Sequence, residues 1–98
     1  MAIAGKVSDI RPGTIRLIDV NGEPVAVANV DGAFHAFGDT CTHQGCSLSE
    51  GDLEGKVVTC HCHGGEYDVT TGEVLSGPPP EAVKVYACSI ENDNVVVS

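Results

Sequence analysis

Apolar stretches long enough to cross a membrane are missing: no window of the 98 residues approaches the run of about 20 apolar residues that a spanning helix requires. Basic residues are scarce too, with 5 Lys and Arg against 14 Asp and Glu and a formal net charge of -9. The acids are spread along the chain, so the surface repels phosphate backbones and anionic headgroups. Nucleic acid and membrane surfaces are thereby disfavoured as partners, and a protein with a basic docking patch, approached by salt-sensitive steering, is favoured. Residues 1–6 show no basic segment followed by a long apolar one, so neither a secretion signal nor an anchor is expected, and the expected location is the cytoplasm. Helical periodicity is absent as well, since no segment sustains apolar residues at i, i+3, i+4 and i+7. Without linkers, repeats or low-complexity tracts, the length fits one domain, 1–98, with a modest core and no room for a separate catalytic domain.

What is present is alternation punctuated by turn signals, which predicts an all-β domain. Strands are expected over residues 14–20 and 24–30 around Asn21-Gly22, the dipeptide best suited to the positive φ angles of a tight hairpin. Asp31-Gly32 then turns the chain into a strand over 33–37. Near the other end, 82–86 alternates Val83 and Val85 against Lys84, and 89–91 and 95–97 flank an Asn92-Asp93-Asn94 turn as a closing hairpin. Between these ends, residues 38–80 are glycine-rich and finish in Pro78-Pro79-Pro80, with short strands expected at 56–59 and 67–69. The pattern predicts an antiparallel β-sandwich or barrel base, residues 1–37 and 81–98, with an inserted loop-rich subdomain over 38–80.

The inserted region holds four of the five cysteines and three of the four histidines, all between Cys41 and His63. Cys41-Thr42-His43 and Cys60-His61-Cys62-His63 each offer a thiolate and an imidazole at close spacing, so two hairpin tips brought together could surround a metal centre with two sulfur and two nitrogen ligands. Three centres satisfy that inventory: a two-iron cluster with mixed ligands, structural zinc, or an all-thiolate cluster. The last is weakened because Cys41 and Cys46 give a C-x4-C interval but position 49, where the next cysteine would fall, is Ser49. Zinc is weakened by the single residue between Cys41 and His43, tighter than the usual two to four.

Cys41-Thr42-His43-Gln44-Gly45-Cys46 and Cys60-His61-Cys62-His63-Gly64-Gly65-Glu66-Tyr67-Asp68 resemble the two cluster-binding loops of the Rieske family, C-x-H followed by C-x-x-H. Gly77-Pro78-Pro79-Pro80 resembles that family's proline-bearing loop, and Thr71-Gly72-Glu73 its turn after the second cluster loop. The resemblance implies a cluster of two irons and two sulfides, with Cys41 and Cys60 on one iron and His43 and His63 on the other. It also implies a disulfide between Cys46 and Cys62, the extra pair of the quinol-oxidising branch, although disulfides are uncommon in a reducing compartment. Two departures from that branch stand out. Gln44 follows the first histidine where those relatives usually carry leucine, and Gly65 replaces their serine donor to a bridging sulfide, whereas Tyr67 keeps the phenolic donor; Gly65 and Tyr67 are therefore expected to tune the potential. His61, His35 and Cys88 are given no metal role, with His61 exposed and Cys88 a small core residue.

The resemblance implies a soluble, monomeric Rieske ferredoxin that is not itself an enzyme. It would take one electron from a flavin-containing reductase and deliver it to a Rieske-type aromatic-ring oxygenase. Two other classes share the motif: a small electron-transfer subunit of a larger oxidoreductase such as a nitrite reductase, and a redox-sensing module whose cluster alters a binding surface.

Overall fold

Among the described residues of the computed structural model, which are 2–40, 46–61, 64–76 and 82–97, eleven strands form three antiparallel sheets. In chain order they are β1 (Ala2–Lys6), β2 (Ile15–Val20), β3 (Glu23–Val30), β4 (Ala33–Gly38), β5 (Asp52–Glu54), β6 (Val57–Thr59), β7 (Glu66–Asp68), β8 (Val74–Ser76), β9 (Val85–Tyr86), β10 (Cys88–Glu91) and β11 (Asn94–Val97). The sheets run β1-β11-β10, β2-β3-β4-β9 and β5-β6-β7-β8. Single 3-10 turns at Val7–Asp9 and Leu48–Glu50 are the helical elements among the described residues.

The tight turns sit where the sequence places them. Asn21 and Gly22 take φ angles of 53° and 86°, Asp31 and Gly32 take 51° and 93°, and Asn92 and Asp93 take 51° and 65°. Two consecutive positive φ angles match the twist of the flanking strands, which is why Asn, Asp and Gly occupy these positions. The first two turns join β2, β3 and β4 into a meander, in which Ile18 faces Val25 and Val27 faces Ala36.

Strand β3 is buried on both faces, and this organises the molecule. Val25 and Val27 pack with Ala4, Ile10, Val20, Ala36, Val95 and Val97 between the meander and the β1-β11-β10 sheet. Ala26 and Ala28 point the other way, into a second cluster with Phe37, Leu48, Val58, Cys60, Tyr67, Val69 and Val83. Three layers result, with the meander in the middle. Each fully buried Val, Leu or Phe side chain contributes roughly 1.5–3 kcal/mol, so both clusters matter to a chain this short.

The region expected to be loop-rich carries a sheet of its own, built from four strands of three residues each. β1, β5 and β8 were not expected from the sequence. The alternation expected over 82–86 also fails: the strand is only Val85–Tyr86, Val83 is buried, and Val85 is 42% exposed. The reason is that the Val83 N–H donates to the Gly72 carbonyl, 2.9 Å away, so Val83 is held by the third sheet's turn instead of continuing β9.

Candidate metal centre

The third sheet brings the two motif regions together. Asp52 is the partner of Thr59 across β5 and β6, so the chain leaving the first motif lies beside the chain entering the second. The approach is close: a Cβ on Gly51 would lie 2.0 Å from the Thr59 carbonyl oxygen, a position only glycine can fill. One residue beyond Thr59 is Cys60, buried and carrying a free thiol in the cluster that holds Leu48 and Tyr67. Cys46 is half-buried against the same cluster.

A tight turn follows Cys60. Its N–H donates to the Gly65 carbonyl at 2.8 Å, and its carbonyl accepts from Gly64 N–H at 2.9 Å, with Gly64 at a φ of 72°. Within that turn His61 faces outward, its Nε2 3.2 Å from Asp52 Oδ2 with both side chains largely exposed. The side chain is exposed, as expected, and its contact is with a surface carboxylate. Gly65 is buried, and Tyr67 is fully buried opposite Val58 on β6. Every buried side-chain oxygen and nitrogen among the described residues has a hydrogen-bond partner, the Tyr67 phenol included.

Cys41, His43, Cys62 and His63 lie outside the described residues, as do Gln44 and the Gly77-Pro78-Pro79-Pro80 segment. Of the sequence-derived site residues, the structure thus gathers Cys60 and Tyr67 in one core cluster, with Cys46 packed against it and Gly65 bonded to Cys60. A buried free thiol there fits metal ligation, because cysteine sulfur is a metal ligand and the apolar side chains around it keep competing water away. Cys88 is remote from this group, half-buried against the other core cluster, and burial raises its pKa. His35 is half-buried on β4 opposite Ala28.

The turn after β7 is fixed by Asp68. Its Oδ1 accepts from the Thr70 hydroxyl at 2.5 Å and the Thr70 N–H at 2.8 Å, and its Oδ2 lies 3.4 Å from Lys56 Nζ. The Thr70 hydroxyl is the largest influence holding the Asp68 carboxyl below its ordinary pKa, against the opposing effect of burial. Asp39, Ser47 and Ser49 form a second knot that sequence reasoning missed. They bond across eight and ten positions of chain, and no local pattern announces such a contact.

A family model, the Rieske [2Fe-2S] domain, matches residues 1–87. The chain belongs to the Rieske [2Fe-2S] domain family, with a two-iron, two-sulfide cluster as its cofactor. Among its relatives is the biphenyl dioxygenase ferredoxin subunit of Pseudomonas sp. (strain KKS102), 45% identical over 95 residues, covering 96% of this chain and 87% of the relative. Ferredoxin CarAc of Metapseudomonas resinovorans is 42% identical over 92 residues, covering 93% and 86%. A solved complex of reduced oxygenase and oxidized ferredoxin in carbazole 1,9a-dioxygenase contains a chain that superimposes with a TM-score of 0.95 at 40% identity, covering 99% of this chain and 91% of that one. Like these relatives, this chain is a ferredoxin-type electron carrier and not a catalyst.

Proposed function

We propose that this protein is the ferredoxin of a multi-component dioxygenase system, soluble and cytoplasmic, accepting one electron at a time from a flavin-containing reductase and passing it to a terminal aromatic-ring oxygenase. The observation that carries this is correspondence along nearly the whole length of both partners with ferredoxins of such systems. Among the described residues no helix is long and apolar enough to cross a membrane, and the acidic surface suits transient docking to basic proteins.

Cys41 and Cys60 hold one iron in this proposal, and His43 and His63 the other. Two neutral imidazoles in place of thiolates lessen the negative charge on the cluster, which raises its reduction potential above that of all-cysteine ferredoxins. Cys60 contributes a thiol already in a dry site, and Tyr67 a phenol anchored from behind by the β6-β7 pair. A bridge between Cys46 and Cys62 ties the ligand loops together; its support is that Cys60 and Cys88 are free thiols and Cys46 is not among them. The division into a base, 1–37 and 81–98, and a cluster-binding subdomain, 38–80, is supported by the third sheet lying wholly within 52–76.

Iron and acid-labile sulfide analysis, with EPR of the dithionite-reduced protein, tests the cluster: two of each and the low average g value of mixed His and Cys ligation are expected. Rapid mixing of the reduced protein with the oxidised oxygenase of a biphenyl or carbazole system tests the relay. Reoxidation no faster with the oxygenase than without it would end the electron-carrier assignment to such a system.

A further inference from the structure

The chain has four asparagines, and Asn21 alone precedes a glycine. That order matters because an asparagine side-chain amide is open to attack by the main-chain nitrogen of the next residue, and glycine carries no side chain to obstruct the approach. Asn21 and Gly22 are both exposed. The other asparagines are obstructed. Asn29 is 3% exposed, its Nδ2 donating to the Ile10 carbonyl at 2.7 Å and its Oδ1 accepting from the Gly32 N–H at 2.7 Å. Asn92 is followed by Asp93, whose side chain and charge stand beside the attacking nitrogen, and Asn94 is followed by the buried, β-branched Val95.

The nucleophile at the Asn21-Gly22 turn is held. The Gly22 N–H donates to Asp19 Oδ1 at 2.8 Å, and Val20 pairs with Glu23 on either side of the turn. An amide nitrogen attacks once its proton has left. A carboxylate that accepts that proton opposes the loss in two ways, by stabilising the protonated form and by repelling the negative charge that follows. Asp19 is itself exposed, so this brace opens more readily than the buried one that Asn29 gives to Gly32.

We infer that Asn21 is a site of spontaneous modification, converting to aspartate and isoaspartate through a succinimide, and that Asp19 holds the rate down. The Gly22 nitrogen bonds to Asn21 Cγ, the Cγ–Nδ2 bond breaks and ammonia leaves. Water then opens the ring at either carbonyl, giving aspartate or isoaspartate. The isoaspartate product runs the main chain through Cβ, which adds a carbon to a turn whose length sets the register of β2 and β3. Either product puts a further negative charge between Asp19 and Glu23, whose Oε2 accepts from the Tyr86 hydroxyl at 2.8 Å. The site lies in the base, and the inference is independent of the cluster and its ligands.

Ageing the purified, cluster-loaded protein at mildly alkaline pH, well below its melting temperature, tests both parts. Peptide mapping by mass spectrometry follows the gain in mass when an amide becomes an acid, and labelling by an isoaspartyl methyltransferase counts the isoaspartate. Native protein is expected to convert at Asn21 ahead of Asn29, Asn92 and Asn94. Asp19→Ala frees the Gly22 N–H and is expected to convert several-fold faster at Asn21 alone. Asp19→Asn keeps an acceptor without the charge, so its rate is expected to fall between the two. Conversion first at another asparagine, or none at Asn21, overturns the site. An Asp19→Ala rate equal to the native one overturns the brace, and an Asp19→Asn rate equal to that of Asp19→Ala overturns the hydrogen bond as its means. If Asp19→Ala does not accumulate as folded protein, the native protein still decides the site, and an Asp19→Asn rate no higher than native overturns the contribution of the charge.

Discussion

Gly72 and Val83 meet backbone to backbone: the Val83 N–H donates to the Gly72 carbonyl at 2.9 Å, and a Cβ on Gly72 would lie 2.2 Å from the Val83 carbonyl oxygen. Gly72 also has a φ of 80°, where a side chain is strained. This contact fastens the turn after β7 to the segment that leads into β9. Gly72→Ala should therefore lower unfolding stability by about 3 kcal/mol, from backbone strain plus forced displacement. Urea unfolding followed by circular dichroism measures this, and a loss under about 0.5 kcal/mol would show that the contact yields freely.

Acid should weaken the Asp68 turn. The folded-state pKa of Asp68 is lowered, first by the Thr70 hydroxyl, so its stabilisation is present above the unfolded-state pKa and is lost as pH falls through the folded value. Asp68→Asn should flatten the fall in melting temperature across that acidic window. Because Lys56 is 63% exposed, its contribution is screened, and Thr70→Val should reduce the pH dependence more than Lys56→Ala does. The reverse order would make the ion pair the dominant influence.

His61 and its neighbours should behave in opposite ways. His61→Ala removes an exposed pair worth at most about 1 kcal/mol and should leave the EPR and visible spectra unchanged. His43→Ala and His63→Ala each remove a proposed ligand and should abolish the cluster or leave it crippled. Loss of the cluster in the His61 variant would reverse the assignment within the second motif.

Tyr67→Phe should lower the reduction potential and Gly65→Ser should raise it. A hydroxyl donating to cluster sulfur stabilises the more negative, reduced state more strongly. If the differential part of such a bond is about 1–2 kcal/mol, the one-electron shift is on the order of 40–90 mV. Voltammetry on both variants measures it. A Tyr67→Phe potential equal to the native one would mean the buried phenol spends its hydrogen bond elsewhere.

The paired substitution Cys46→Ser with Cys62→Ser should still assemble the cluster but lose about 2–4 kcal/mol of stability, the usual effect of opening a loop of this length. Thiol titration of the denatured native protein without reductant checks the premise. Both thiols reacting, once the cluster cysteines and Cys88 are accounted for, would show the bridge absent.

The hairpins were legible because their signals are local: Asn21-Gly22, Asp31-Gly32 and Asn92-Asp93 dictate backbone angles that the flanking residues cannot change. The third sheet was only half legible. Three-residue strands such as Asp52–Glu54 and Val74–Ser76 are too short to show alternation, and they exist because β6 and β7 offer them edges. Val85 misled because its alternation with Lys84 reads as a two-faced strand, whereas one glycine contact at position 72 redirects Val83. The family was legible in the spacing and chemistry of the Cys and His motifs. Asp39 was not, since its partners are drawn to it by the packing of Leu48, a tertiary event.

Ala2 and Val97 are partners across the β1-β11 ladder, so the two ends of the described chain emerge side by side. Antiparallel neighbours are about 5 Å apart, a gap that a turn of two or three residues closes. A circular permutant joined there and reopened between Asn21 and Gly22 would keep every sheet neighbour while cutting an exposed turn far in sequence from Cys41 and Cys60. Chain extending past Ala2 and chain extending past Val97 therefore leave the base at the same corner, with the third sheet left as a continuous stretch of chain.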